Sequence, residues 1–91
     1  MKKVSMNIQG HVQGVGFRYT AKTLADQLGV TGNVRNEEDG SVTINAVGKN
    51  KAIDEFVLKI KNSPSPSGHV TYVDISDSPY LEDFEQFTIT I

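Results

Sequence analysis

The chain has 91 residues, of which 37% are hydrophobic and 22% are charged, and its formal net charge is −2. This length suits one domain, and the ordinary apolar content excludes a disordered chain. The absence of cysteine excludes disulfide scaffolds, thiolate zinc sites and cysteine nucleophiles. We therefore expect a single folded domain over residues 1–91.

Charge is distributed unevenly along the chain. Residues 1–50 carry six basic and four acidic side chains, whereas residues 51–91 carry three and seven. An anionic ligand should therefore prefer the first half, while the overall acidity disfavours a nucleic-acid partner. The chain shows neither the apolar run of a signal peptide nor the ~18 consecutive apolar residues of a membrane span. A cytoplasmic protein without a membrane partner is expected.

The first two predicted elements are a strand and a helix. Val4, Met6 and Ile8 alternate with polar residues, which predicts a half-buried strand. After a glycine-rich segment, apolar residues recur at three- and four-residue steps, which predicts a helix with Gly29 as its C-terminal cap. The apolar stripe of this helix consists of Phe17, Ala21, Leu24, Ala25 and Leu28.

A hairpin and a second helix follow. Residues 30–36 and the alternating residues 42–46 predict two strands, joined by a turn at residues 37–40. The spacing of the next apolar residues predicts a helix over about residues 51–61, with Asn50 as its N-cap.

The last third of the chain predicts a loop and two further strands. Prolines in residues 62–68 end the second helix, and connection is the only role expected of this segment. Residues 70–75 predict a fourth strand. The alternation of Phe87, Ile89 and Ile91 predicts a final one.

The resulting element order is β-α-β-β-α-β with an additional C-terminal strand. Each helix stands where a crossover between strands belongs, which predicts an α+β fold of the ferredoxin-like split βαβ type. Two helices should cover one face of an antiparallel sheet. The other face should be mostly solvated, as its polar residues suggest: Ser5, Asn7, Gln9, Thr43 and Asn45.

The most unusual segment is GHVQGVGFR, residues 10–18, between the first strand and the first helix. Its three glycines open backbone conformations that other residues avoid. Amide groups at a helix N-terminus bind anions, and Arg18 would add a planar fork suited to phosphate. A tight turn with a solvated arginine is the other open interpretation. Walker and dinucleotide motifs are excluded, since no Gly-Lys-Ser/Thr follows and Tyr19 replaces the third glycine.

A second polar segment, GNVRN at residues 32–36, ends the second strand. Asn36 by itself is typical of a turn-forming residue, and periodicity does not place it beside the glycine-rich segment. His11 could act as an acid or base near an anion, although a lone histidine there more often supplies only a hydrogen bond or a charge. With two histidines and no cysteine, no metal site is expected.

Together, these segments resemble the acylphosphatases. The family pattern is close to G-x-VQGVxFR … LG-x-x-GWVRN-x-x-DG-x-V. This chain matches it with GHVQGVGFR at 10–18, Leu28-Gly29, GNVRN at 32–36 and DGSV at 39–42. The resemblance spans the chain and implies a ferredoxin-like enzyme that hydrolyses acyl phosphates to carboxylate and inorganic phosphate without a cofactor. Two positions depart from what the family usually has: this chain has His11 where arginine is usual after the first glycine, and Asn33 where tryptophan is usual before Val34.

The resemblance also implies a site. Arg18 matches the phosphate-binding arginine of the family, and Asn36 matches the asparagine that orients the attacking water. The two are implied to share one site with the glycine-rich loop. The backbone amides that match the phosphate cradle belong to Val12, Gln13, Gly14, Val15, Gly16 and Phe17.

Two alternatives stay open. One is a non-catalytic ferredoxin-like module that binds a ligand or partner through its sheet. The other is an acylphosphatase-like domain of a larger carbamoyl-transfer protein, although the end at Ile91 argues for a free-standing enzyme, which we expect to be a monomer. Release of phosphate from benzoyl or acetyl phosphate separates a hydrolase from a binding module.

Overall fold

The computed structural model describes residues 1–62 and 64–90. It contains five strands and two helices, and the strands form one sheet in the order β4-β1-β3-β2-β5. In chain order the elements are β1 (Lys2–His11), α1 (Phe17–Leu28), β2 (Thr31–Asn36), β3 (Val42–Gly48), α2 (Asn50–Lys61), β4 (His69–Asp77) and β5 (Phe87–Ile89).

The pairing of the first four strands confirms the predicted split βαβ plan. β1 pairs antiparallel with both β3 and β4, and β2 pairs antiparallel with β3. Helix α1 therefore connects β1 to β2, which lie on either side of β3. Helix α2 likewise connects β3 to β4, which lie on either side of β1. The hairpin β2–β3 joins the two crossover units, as the element order predicts.

The fifth strand makes the sheet mixed rather than wholly antiparallel. β5 pairs parallel with β2, and Val34 lies opposite Ile89. The reason is topological. β4 runs antiparallel to β2, and after β4 the chain crosses to the opposite edge of the sheet and reverses direction, so β5 runs parallel to β2. The predicted last residue of this strand, Ile91, lies outside the described residues.

The hydrophobic core lies between the helices and one face of the sheet. The rings of Phe56 in α2 and Phe87 in β5 meet edge to face, with their centroids 5.9 Å apart, a favourable aromatic geometry. Neither helix, within the described residues, is long and apolar enough to span a membrane. The buried helix residues confirm the predicted stripes: Phe17, Ala21 and Ala25 of α1, and Ile53, Phe56 and Ile60 of α2.

One predicted helix end is confirmed and one is displaced. Gly29 caps the C-terminus of α1 in the left-handed region, with φ 73°. The N-cap of α2 is Lys49 rather than Asn50, because Lys49 has an extended backbone with φ −63° and ψ 149°. The Lys49 carbonyl accepts the amide of Ile53 at 2.9 Å, so Asn50 already belongs to the first helical turn.

The uncovered sheet face carries polar side chains that bond to one another. The Ser5 hydroxyl donates to Asn45 Oδ1 at 2.8 Å, and Asn45 Nδ2 donates to Asn33 Oδ1 at 3.1 Å. Asn7 Nδ2 donates to Ser41 Oγ at 2.9 Å. Asn33, at the position where the resembled pattern has tryptophan, is thus part of a hydrogen-bonded row on the face opposite the core.

Candidate active site

The loop between β1 and α1 curls onto the start of the helix. Gly14 and Gly16 have φ values of 75° and 77°, a left-handed conformation that side chains disfavour. Gly16 is the N-cap of α1. The first amide groups of a helix have no partner within it and carry the positive end of its dipole. This loop therefore presents N–H donors in a region of positive potential.

Two neighbouring segments hold the loop in place. Gln13 Nε2 donates to the carbonyl oxygens of Glu37 at 2.7 Å and Ser41 at 2.9 Å, in the turn between β2 and β3. The buried Ser65 hydroxyl donates to the Val15 carbonyl at 2.5 Å. The segment after α2 therefore does more than connect. The Gln13 tether also brings the glycine loop beside the end of β2.

We expect Gln13→Ala to lower the free energy of unfolding by about 1–2 kcal/mol, since it removes two partly buried hydrogen bonds to backbone carbonyls. Urea unfolding of both proteins measures the difference. Gln9→Ala is the matched control because Gln9 is exposed, and its effect should stay within about 0.5 kcal/mol. Equal stabilities of Gln13→Ala and the parent chain would contradict the tether.

The turn between β2 and β3 is ordered by Asp39. Its carboxylate accepts the Ser41 hydroxyl at 2.6 Å and the Ser41 amide at 2.9 Å. These hydrogen bonds, the one from the hydroxyl first, hold the pKa of the Asp39 carboxyl below its ordinary value because they favour the ionised form. Arg35 is exposed and pairs with Glu37, with Nε 3.4 Å from Oε2, so it is a surface residue.

Arg18 lies in the first turn of α1 and is held by the end of the chain. Its Nη1 donates to the Thr90 carbonyl at 3.1 Å. The Thr90 amide in turn donates to the Val34 carbonyl of β2 at 2.8 Å. The position of the guanidinium is therefore set by the pairing of β5 with β2.

Asn36 is the last residue of β2 and shares the core face of that strand. Side chains alternate along a strand, and Val34, two residues earlier, is fully buried in the core. The Oδ1 atom of Asn36 is buried, and among the described residues it has no hydrogen-bond partner. A buried acceptor without a partner costs roughly 1–3 kcal/mol, so this oxygen is available to a donor that enters beside it.

Arg18, Asn36 and the glycine loop line one cavity of about 250 Å³. Larger cavities, two of about 430 Å³ and one of about 310 Å³, lie elsewhere. As lined by the described residues, none of these three combines an arginine and a buried amide oxygen with a helix N-terminus, so the smaller cavity is the candidate site. Its lining residues are Val12, Gly14, Gly16, Phe17, Arg18, Tyr19, Asn36 and Ile89.

The predicted loop residues take two different positions around this cavity. Val12, Gly14, Gly16 and Phe17 line it. The side chain of Gln13 instead forms the tether described above, and that of Val15 packs against the core.

Sequence reasoning missed two further lining residues, Tyr19 and Ile89. Tyr19 follows Arg18 directly, and this adjacency was a usable signal. Ile89 reaches the cavity only because β5 pairs with β2, which local periodicity does not reveal.

Neither histidine is among the described residues that line this cavity. His11 ends β1 opposite His69 of β4, and both are exposed. Across residues 1–62 and 64–90, no three metal-binding side chains come together. The groups that meet at the cavity are an arginine, an amide and backbone N–H donors, which are suited to holding an oxyanion and orienting a small hydrogen-bonding molecule.

Comparisons with known proteins agree with this arrangement. The sequence model of the Acylphosphatase family matches residues 4–89. The chain is 61% identical to an acylphosphatase of Enterococcus faecalis and 47% identical to one of Lactobacillus gasseri, each over 98% of both chains. The crystal structure of acylphosphatase from Bacillus subtilis is 38% identical and superposes over the whole of both chains with a TM-score of 0.95. The chain therefore belongs to the acylphosphatase family.

Proposed function

We propose that this chain hydrolyses the carboxyl-phosphate bond of acyl phosphates, with Arg18 and the glycine loop binding the phosphoryl group and Asn36 positioning the water. One observation carries the proposal: Arg18 and Asn36 line the same cavity at the N-terminus of α1, and the buried Oδ1 of Asn36 has no partner among the residues that the structure describes. Membership of the acylphosphatase family supports it.

The phosphoryl group would lie in the cradle between α1 and the loop. Backbone amides of residues 12–17 donate to its oxygens, and the positive end of the α1 dipole adds to their effect. The guanidinium of Arg18 neutralises charge at the same oxygens. Although the net charge is −2, the local potential decides where an anion binds, and here it is positive.

The water would lie at the buried end of the cavity, beside Asn36. Its O–H donates to the free Oδ1 acceptor, which turns an oxygen lone pair toward phosphorus. A bond forms between the water oxygen and phosphorus as the bond from phosphorus to the acyl oxygen breaks, and the electron pair leaves with the carboxylate. Because an amide has no useful pKa, a phosphoryl oxygen accepts the proton of the water.

Such a site needs no strong base, because an acyl phosphate already has a good leaving group. Catalysis then depends on positioning and on fixed donors that stabilise charge in the transition state. The structure supports this preorganisation through contacts outside the cavity: Thr90 holds Arg18, while Gln13 and Ser65 hold the loop. The cavity is complete within one chain, which supports a monomer as the active form.

We expect the purified chain to release inorganic phosphate from benzoyl and acetyl phosphate at the same rate with and without EDTA. The reason is that Arg18 and backbone amides, rather than a cation, neutralise the phosphoryl oxygens. Loss of activity with EDTA that added Mg²⁺ restores would contradict this mechanism. Phosphate binding by calorimetry without any turnover would instead favour the alternative, a non-catalytic binding module.

A further inference from the structure

The peptide unit between Val15 and Gly16 lies at the boundary between the core and the candidate site. Its carbonyl, that of Val15, accepts the hydroxyl of Ser65 at 2.5 Å, and the Val15 side chain packs against the core. Its amide belongs to Gly16, which lines the cavity that contains Arg18 and Asn36. One peptide unit therefore connects a buried serine to the site.

Peptide geometry relates the direction of this amide to Ser65. A planar trans peptide turns its carbonyl and its N–H in opposite directions, and the described residues contain no cis peptide bond. Ser65 is buried and is not among the described residues that line the cavity. Because the Val15 carbonyl points to Ser65, the Gly16 N–H points away from Ser65, to the side on which Gly16 lines the cavity.

The local backbone does not determine this orientation by itself. Turning a peptide unit over changes mainly the ψ angle of the residue before it and the φ angle of the residue after it. Gly16 has a φ of 77°, and glycine adopts positive and negative φ about equally readily. The reversed orientation is therefore accessible to the chain. It would turn the Val15 carbonyl oxygen toward the cavity, where its negative partial charge would repel an anion.

A tight turn at residues 65–68 holds Ser65 against the glycine loop. Ser65 is 1% exposed, and its carbonyl accepts the Gly68 amide at 3.1 Å. A Cβ atom at Gly68 would lie 3.1 Å from the His11 carbonyl oxygen and 3.2 Å from Val15 Cγ2, closer than side chains normally approach. The turn therefore packs directly on the loop, and the Ser65 hydroxyl has a fixed position opposite the Val15 carbonyl.

We propose that Ser65 is a positioning residue that keeps the Gly16 N–H directed at the phosphoryl group. The inference rests on the proposed function, since it takes the cavity to be the phosphate site. In this role Ser65 does not touch the substrate; it acts through the peptide unit whose carbonyl it binds. A side chain 50 residues further along the chain thus determines whether the loop presents a donor or an acceptor to the anion.

Calorimetry with inorganic phosphate tests the effect on binding. Ser65→Ala should weaken phosphate binding about tenfold, the size expected for one hydrogen bond to a charged group. Ser78→Ala is the matched control, because Ser78 is also fully buried, whereas its amide bonds to the Lys3 carbonyl near the start of β1. Phosphate affinity should be unchanged in this control. An unchanged affinity in Ser65→Ala, or an equal loss in both variants, would overturn the positioning role.

An NMR titration with inorganic phosphate follows the Gly16 amide directly. In the parent chain its proton resonance should move on phosphate binding, and in Ser65→Ala this movement should largely disappear. A serine that only stabilised the fold would not change this signal selectively. Should Ser65→Ala not fold, Ser65→Cys decides, because a thiol is close in size to the hydroxyl but is a weak donor. An undiminished Gly16 shift in the folded variant would overturn the proposal.

Kinetics separate this inference from the proposed hydrolysis. In Ser65→Ala, kcat/KM for benzoyl phosphate should fall about tenfold, in parallel with the affinity for inorganic phosphate. If the parent chain hydrolysed no acyl phosphate but its Gly16 shift still depended on Ser65, the hydrolysis would be wrong and the positioning role would stand. If the parent chain were active and kcat/KM stayed unchanged in Ser65→Ala, only the positioning role would be wrong.

Discussion

Asn36→Ala is expected to lower kcat for benzoyl phosphate by about 10²-fold or more while leaving the fold intact. The substitution removes a buried acceptor that lacks a hydrogen-bond partner among the described residues, and the loss of a preorganised polar group in an active site has an effect of this size. Steady-state phosphate release measures it. Because Oδ1 has no partner among the described residues, its removal should not lower the melting temperature.

The control for this variant is Asn33→Ala. Asn33 is an asparagine of the same strand, but it lies on the opposite face and bonds to Asn45. Its substitution should leave kcat within about twofold of the parent value. Near-normal turnover in Asn36→Ala, or an equal loss in both variants, would contradict the water-positioning role of Asn36.

Arg18→Ala is expected to lower kcat/KM by about 10³-fold, on the scale seen when an arginine that stabilises a phosphoryl transition state is removed. Binding of inorganic phosphate should weaken at least tenfold by calorimetry, because Arg18 is the only arginine among the described residues that line the cavity. Arg18→Lys should recover little activity, since a point charge does not reproduce the planar fork that bonds to Thr90 and that we propose binds the phosphoryl group.

The second arginine of the chain provides the matched control. Arg35 is exposed and pairs with Glu37, so Arg35→Ala should change neither phosphate affinity nor kcat/KM by more than about twofold. Unchanged phosphate affinity in Arg18→Ala would exclude Arg18 from the cradle. Comparable losses in both arginine variants would indicate that net charge, rather than a local contact, governs binding.

The site is held by contacts between residues far apart in the sequence. Arg18 depends on Thr90, and the loop depends on the turn after β2 through Gln13. A substitution in β5 that does not touch substrate should therefore affect turnover through the position of Arg18. We therefore expect activity to depend on the pairing of β5 with β2 as well as on the residues that line the cavity.

Local chemistry of the chain was enough to predict most elements. The alternation in β1 has the two-residue period of a strand, and the apolar stripe of α1 has the 3.6-residue period of a helix. Both periods are visible within a short window of sequence, so these elements could be predicted locally. Gly29 as a cap follows from its freedom to adopt positive φ. The N-cap of α2 was displaced by one residue, because the backbone of Lys49, and not the capping preference of Asn50, decides where the helix begins.

What only the tertiary structure decided concerns neighbours distant along the chain. The parallel pairing of β5 with β2 made the sheet mixed, and it brought Ile89 and the Thr90 carbonyl to the cavity. The motif resemblance implied that Arg18 and Asn36 share a site, but only packing revealed that Asn36 Oδ1 is buried and has no partner within residues 1–62 and 64–90. Periodicity in the sequence indicates which face of a helix or strand is apolar. It does not indicate which helices and strands pack or pair with one another, and the site forms only where those elements come into contact.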